Sequence, residues 1–521
     1  MSSVKTLARL APSYIIHRKG AYGFDDAVGL SDAQAADGPR QKIVVEFSSP
    51  NVASDFAPRH LRSTMLGAFV ANLYEGMGWD VVRMNYLGDW GKPLGLLTVG
   101  WKEFGSDDEL AKDPMRHLLD VNDKINEKFK PEKEASKALK SEHKDLADLE
   151  SQGLFAEQNE ATQGLETGDE ELLALWSKFR DVSIEQYAAA HKRMGIVFDE
   201  RSGESQVSAE SVAEVEAVLK EKGVYELQSD GGWTVDFTKH NAKGLALAVM
   251  RYRDGTTGYP LRDVAAVLDR AKAHSFDKMV YVVEAKQDTH FLRIHKLLEL
   301  MGRSDLSDKI QHIHFGDVTG LNGDFANCRL LDDYLDKARD LAKQALVDEG
   351  EEGVFLDQAD ETLDRLGMSA LIAQDLAHKR TGSYAMDAKR MAGFGVDTGV
   401  TFQNCYVHLA SVLKGRPSID EVDLDALEYG NLETEYYSDL LRIMVQFPDV
   451  VSASYKMTEP SHIVLYLVRL VEQIEIALQD DEEQEWEGNE EAVNARMVMY
   501  EAAKIVLQNA MRLLGMQPCG A

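Results

Sequence analysis

Cysteine is scarce in this chain. Its three copies, Cys328, Cys405 and Cys519, are odd in number and far apart. That excludes a disulfide framework and leaves no zinc-ligand spacing, so no metal site is expected and a reducing compartment is. Long apolar runs are also missing. No stretch of about 18 apolar residues occurs, so nothing reads as a membrane span. Positive charge is in deficit, with 57 Lys and Arg against 88 Asp and Glu and a formal net charge of -31. Bulk charge therefore excludes indiscriminate nucleic-acid binding. A nucleic-acid partner would need a local basic groove on an acidic body. The first residues, MSSVKTLARLAPSYIIHRKG, lack a long apolar core and a cleavage pattern. Lys5, Arg9, Arg18 and Lys19 would suit an organelle transit peptide, but the stretch is short for one, and the cytosol is the default.

What is present is ordinary for a soluble globular protein: 44% hydrophobic and 28% charged residues over 521 positions. A chain of this length holds roughly two to four domains. The run QKIVVEF (Gln41 to Phe47) reads as a buried strand from its β-branched content. A helix over Leu61 to Met77 and a second strand from Asp80, ending in the Gly-bounded turn LGDWG, complete a βαβ unit with a parallel sheet. Residues 106–245 are rich in Glu, Lys, Ala and Leu and read as a helical insertion. Alternation resumes with a helix over Leu261 to Ala273, a strand over Met279 to Val283, a helix over Thr289 to Met301 and a strand over Ile310 to Phe315. From about Asp332 the periodicity is helical throughout. The acidic run DDEEQEWEGNEE reads as an exposed loop. The expected division is an N-terminal extension (1–40), a first Rossmann half (41–105), the insertion (106–245), a second half (246–330), a helical junction (331–390) and an all-α bundle (391–521).

At this point the motifs resemble a family. EFSSPNVA, HLRST and NLYEGMGWDVVRMNYLGDWGKPLGLL look like the first catalytic half of eukaryotic arginyl-tRNA synthetases. SGESQVS, DGTTGYPLRDVAAVLDR, FDKMVYVVEAKQDTH and QHIHFG continue the likeness. GVDTGVTFQNCYVHLASV and VLQNAMRLLGMQP resemble the anticodon-binding helices. The match runs over about residues 41 to 517, with its motifs in order. It implies an α/β fold: a class I aminoacyl-tRNA synthetase-like Rossmann core with a helical insertion, followed by an all-α anticodon-binding-type bundle.

The resemblance also implies two nucleotide-binding signatures, and here both are altered. A helix start offers N–H groups and a positive dipole end to phosphates, and the family places a His-x-Gly-His turn there. This chain reads Ala57, Pro58, Arg59, His60. One His survives, and Arg59 puts a long side chain where the adenine would rest. The second signature is a Lys-bearing loop. Its counterpart, Gly316 to Asp333, has no Lys or Arg between Lys309 and Arg329 and carries Asp317 and Asp324. Removing one preorganised donor costs about 3–4 kcal/mol in a transition state. Losses at both ends predict no amino-acid activation.

The other side of the pocket is retained. A guanidinium needs planar acceptors, best supplied by carboxylates. By resemblance, the arginine-recognising residues fall on Glu46, Ser49, Asn51, Tyr259, Asp263 and Gln287, and Glu204 falls where the family meets the terminal adenosine of tRNA. Arginine bound but not activated would have to arrive already activated, as arginyl-tRNA. That pattern resembles the fungal arginine-containing cyclodipeptide synthases. The resemblance implies an aminoacyltransferase that joins arginyl-tRNA to a second aminoacyl-tRNA, closing a cyclo(Arg-Xaa) diketopiperazine for natural-product biosynthesis. No ATP, metal or other cofactor is then expected. His60 is the candidate for proton transfer or oxyanion contact. Ser54 is the candidate nucleophile for a covalent intermediate, and direct attack by proximity is the other route. A monomer without membrane attachment is expected. Two other classes stay open: a non-catalytic paralogue that binds tRNA or senses arginine, and an active arginyl-tRNA synthetase with divergent signatures.

Overall fold

The computed structural model describes residues 2–32, 38–142, 145–320, 323–350, 360–414, 434–482 and 490–520, and between 415 and 433 only 419, 422, 424 and 427. Parts of the acidic run after Gln479, expected as an exposed loop, and of the segment Leu30 to Arg40 lie outside the described residues.

A five-stranded sheet has the order β3-β2-β1-β7-β8, with β1 at Lys42–Glu46, β2 at Asp80–Leu87, β3 at Glu200–Gly203, β7 at Lys278–Glu284 and β8 at Ile310–Phe315. Three short antiparallel strands, β4 (Glu226–Leu227), β5 (Trp233–Asp236) and β6 (Leu247–Arg251), form a second sheet in the order β4-β5-β6. Ile43, Val44 and Val45 are fully buried, as β-branched residues at the centre of an α/β sheet should be. The helix after β1 runs from Pro58 to Gly76 and so starts three residues before the expected Leu61. Proline's fixed φ and missing N–H suit a first helical turn. Leu61, Met65, Leu66, Phe69 and Leu73 of this helix are buried at i, i+3, i+4 spacing. The helix expected over Leu261 to Ala273 is Tyr259–His274, again with proline in its first turn.

Residues 106–245 contain strands that periodicity did not signal. β3, sequence ERSG, pairs in parallel with β2, Met84 opposite Glu200 through Leu87 opposite Gly203. Four residues of such polarity carry no strand pattern of their own, and their pairing is supplied by β2. The N-terminal extension begins with a helix over Ser2–Arg18, which hydrophobic periodicity did not signal. Downstream, helices occupy Leu331–Glu349, Asp360–Leu376, Gly399–Leu413, Glu435–Met444, Phe447–Met457, Ser461–Glu482 and Glu490–Leu514. The strand pair β9 (Val318–Thr319) and β10 (Tyr384–Ala385) interrupts the helical pattern expected after Asp332. Among the described residues, no helix is long and apolar enough to cross a membrane.

The chain divides into two compact units. One comprises residues 1–45, 61–81 and 313–521, the other 46–60 and 82–312. Every residue expected to bind arginine or the terminal adenosine, together with Ser54 and His60, belongs to the second.

Candidate functional site

The segment after β1 turns sharply. Ser48, Ser49 and Ala53 all have φ in the left-handed region, at 68°, 38° and 50°. Each such residue costs on the order of 1 kcal/mol, so the surroundings must hold the turn. Ser48 Oγ lies 3.0 Å from His191 Nε2, the Ala53 N–H donates to Ser183 Oγ at 3.1 Å, and Asn122 Nδ2 donates to the Ala53 carbonyl at 3.1 Å. The Tyr187 hydroxyl donates to the Asn51 carbonyl at 2.8 Å. The helices Pro114–Ser141 and Glu170–Arg193 therefore clamp this turn and present Asn51.

Asn51 opens on a cavity of about 390 Å³ lined also by Ser54, Trp90, Lys92, Glu204, Tyr252, Tyr259, Arg262 and Gln287. Three of the six expected arginine contacts, Asn51, Tyr259 and Gln287, thus line one cavity with Glu204 and Ser54. Gly88 of LGDWG makes room for Asn51: a Cβ there would sit 2.0 Å from Asn51 Oδ1. Asp89 of the same motif is fully buried and accepts from Arg180 Nε at 2.7 Å and from the Ser205 N–H and hydroxyl at 2.8 Å each. It thereby fixes the backbone next to Glu204.

The remaining expected contacts have partners of their own. Ser49 Oγ donates to the Phe47 carbonyl at 3.2 Å and accepts from the Tyr86 N–H at 3.4 Å, so it stitches the turn. Glu46 Oε2 is 2.7 Å from Arg270 NH2, with both side chains buried. Burial pushes the Glu46 carboxyl up to about 7 against the pull of Arg270. The Arg270 guanidinium lies over the Tyr86 ring at 4.3 Å and donates to the Tyr281 hydroxyl at 2.8 Å. Glu204 is held the same way: Arg262 Nε and NH2 contact Oε2 at 2.8 and 2.7 Å, and burial pushes this carboxyl, too, up to about 7. Among the described residues, Asp263 is paired with an imidazole and not with a guanidinium. Its Oδ2 takes a 2.6 Å contact from His290 Nε2, and the Tyr259 ring stacks on that imidazole. The Asp263 charge is also the main cause lifting the Tyr259 phenol well above its ordinary range. Glu46 and Glu204 are thus each held by an internal guanidinium, whereas Asp263 meets an imidazole and an aromatic ring. A carboxylate not already paired with a guanidinium suits a guanidinium guest.

The two candidate catalytic residues are less well placed. Ser54 Oγ donates to the Val52 carbonyl at 3.4 Å, not to a base, so nothing there activates it as a nucleophile. His60 is buried, and its Nδ1 accepts from the Ala57 N–H at 3.1 Å, which leaves the ring proton on Nε2. Burial and the neighbouring Arg59 push the ring down to about 3, so it is neutral near pH 7. It can donate a hydrogen bond but is a poor base there. In the other unit, Asp324 is paired with Lys337 at 3.2 Å, and Arg62 NH1 anchors the root of the second signature loop on the Gly316 and Gly382 carbonyls at 2.6 and 2.9 Å. Residues 321 and 322 of that loop lie outside the described residues.

Comparison with known proteins supplies the context. Residues 27–388 match the family described as tRNA synthetases class I (R), catalytic domain, and residues 403–520 match the DALR anticodon binding domain. The cytoplasmic arginine–tRNA ligase of Saccharomyces cerevisiae is 37% identical over 514 residues, covering 98% of this chain and 80% of that protein. The chain belongs to the arginyl-tRNA synthetase family. The mitochondrial arginine–tRNA ligase of the same yeast is 36% identical, with coverage of 97% and 74%. Relatives thus carry both compartment names, and the family does not by itself assign this chain to the cytosol. Arginyl-tRNA synthetase structures from Plasmodium falciparum and Thermus thermophilus share the fold with TM-scores of 0.71, at 22% and 16% identity, covering 93% and 92% of this chain and 77% and 82% of theirs. The class I fold, with a parallel-sheet core and a helical anticodon-binding domain at the C-terminus, is the fold of this arginyl-tRNA synthetase family member.

The same findings correct the functional expectation. Relatives spanning nearly the whole chain at 33–37% identity are named arginine–tRNA ligases. The expected cyclo(Arg-Xaa) synthase, with its natural-product role, transferase chemistry and second aminoacyl-tRNA, is overturned. The expectation that neither ATP nor metal is needed falls with it, because a ligase draws its driving force from ATP, and Mg²⁺ is commonly held through substrate phosphates. The physical reason lies in the inference. Loss of a donor from a motif says what one position lacks, whereas a phosphate can be met by a side chain from elsewhere in the fold. Sequence reasoning also passed over Arg262, Arg270 and His290, which hold the three carboxylates. Arg262 stands beside Asp263 in PLRD and His290 closes QDTH, but their partners are set by tertiary contacts.

Proposed function

We propose that this arginyl-tRNA synthetase family member is an arginine–tRNA ligase with divergent nucleotide signatures. Its substrates are arginine, ATP and a tRNA met in part by the anticodon-binding helices. The observation that carries the reading is the near-full-length similarity to proteins named arginine–tRNA ligases. The Asp263 carboxylate, held by His290 on which the cavity-lining Tyr259 stacks, supports arginine as the amino acid, as do Asn51 and Gln287 in the cavity wall. In this reading Asp263, with Glu46 and Ser49 behind it, sets the charge and shape of the arginine pocket. Glu204, held by Arg262, meets the terminal adenosine. His60 donates from Nε2 to a developing negative charge. The division into an extension (1–40), a first Rossmann half (41–105), an insertion (106–245), a second half (246–330), a junction (331–390) and a bundle (391–521) belongs to the same proposal. The test is arginine-dependent ATP–pyrophosphate exchange, followed by charging of arginine tRNA by purified protein. Robust exchange is expected, and its absence in protein shown to bind arginine would overturn the ligase reading.

A second reading has its own observation. Ala57 and Arg59 stand in the first signature and no Lys or Arg lies between Lys309 and Arg329, which suits a family member that binds arginine and tRNA without activating the amino acid. Arginine binding by calorimetry together with silent exchange would select it.

A further inference from the structure

The side chain of Arg59, in the first turn of the Pro58–Gly76 helix, is 46% exposed, and its Nε lies 3.8 Å from Glu284 Oε1 at the end of β7. Lys286 Nζ approaches the other oxygen of the same carboxylate at 3.9 Å. Both separations are too long for hydrogen bonds. Each is a surface ion pair of about 0–1 kcal/mol. Within this group two cations share one carboxylate, so its charge is net positive. Gln287, the residue after Lys286 in the chain, lines the cavity that Asn51 opens on. The charge of Arg59 reaches inward as well, helping to keep His60 neutral.

We propose that Arg59 and Lys286, bracketed on Glu284, form a phosphate contact, taking a phosphate of ATP or of the acceptor end of tRNA. A phosphate offers more acceptor oxygens and more negative charge than one carboxylate, so it displaces Glu284 from both cations. The position that cost the first signature its glycine would thereby return a donor. For its ATP arm the proposal rests on the ligase reading, and its tRNA arm stands without that reading.

The test uses the full chain with Arg59→Gln, Lys286→Gln and the double variant. Dissociation constants are measured for a non-hydrolysable magnesium–ATP analogue, for an arginine tRNA transcript and for free arginine. Loss of a charged contact weakens one of the two phosphate ligands by about tenfold per substitution, with arginine affinity within about twofold of wild type as a check on folding. Weakening confined to the nucleotide assigns the contact to ATP, and weakening confined to the transcript assigns it to tRNA. A double variant that binds both ligands as the wild type does overturns the proposal. So does tighter nucleotide binding by Arg59→Gln, which would make Arg59 a block rather than a donor. Silent exchange in the wild type would remove the ligase reading while leaving the transcript measurement decisive.

Discussion

Asp263 Oδ2 and His290 Nε2 lie 2.6 Å apart, and the Tyr259 ring stacks on the same imidazole with centroids 4.4 Å apart. The imidazole holds the carboxylate in a fixed orientation beside the Tyr259 ring. Asp263→Asn keeps the shape and removes the charge. Arginine affinity should fall about 10- to 100-fold, as expected for a lost hydrogen bond to a charged group. Calorimetry with free arginine checks this, with circular dichroism as the control for folding. Unchanged affinity would refute the pocket assignment.

The Glu46 and Glu204 carboxyls, both near 7 rather than 4.5, predict opposite pH trends for stability and for binding. The folded protein holds these protons between about pH 4.5 and 7, where an unfolded chain releases them. Their contribution to stability is therefore fully present below about pH 4.5 and lost as pH rises through about 7. Arginine binding should move the other way. As the carboxyls take up protons below pH 7, Arg262 and Arg270 are left uncompensated and repel the guest. Melting temperature and arginine affinity from pH 8 to 5 test both trends, and Glu204→Gln should flatten each of them. A dissociation constant independent of pH over this range would count against the charge account.

Glu46 and Arg270 form a buried pair whose members cannot be removed singly without cost. Arg270→Met should destabilise the protein by about 3–5 kcal/mol at pH 8, where Glu46 is left charged and unpaired, Glu46→Gln by less, and the double substitution by less than the sum of the two. Urea midpoints followed by tryptophan fluorescence would show it. Additive effects would mean that the two side chains do not interact.

Gly88→Ala is expected to act on Asn51. The added Cβ would fall 2.0 Å from Oδ1 and 3.0 Å from Cγ, so Asn51 must leave its seat. A loss of about 1–3 kcal/mol in stability is expected from the overpacking, together with weaker arginine binding. Wild-type behaviour in both measurements would remove Asn51 from the pocket.

Much of the fold was legible because its signals are local. IVV in β1, the 3.6-residue stripes of the Pro58–Gly76 and Tyr259–His274 helices, and proline in their first turns are written in adjacent residues. β3 was not legible, since ERSG becomes a strand only beside β2. In the site, the types and order of Glu46, Asn51, Tyr259, Asp263 and Gln287 could be read. That Glu46 is occupied by Arg270, Glu204 by Arg262 and Asp263 by a histidine could not, because each partner comes from another part of the chain. The functional misreading has the same origin. Missing motif donors were counted along the chain, where a cation such as Arg59 registers as an obstruction.

The sequence alone determined the family, the alternation of β1, β2, β7 and β8 with their helices, and which residue types stand at the end of β1 and the start of the Tyr259–His274 helix, because hydrophobic periodicity and turn chemistry act over a few neighbouring residues. Tertiary structure alone decided which cation each carboxylate meets. Each internal arginine neutralises only the carboxylate it touches, and that contact depends on burial and on distances of a few ångströms between segments up to about two hundred residues apart.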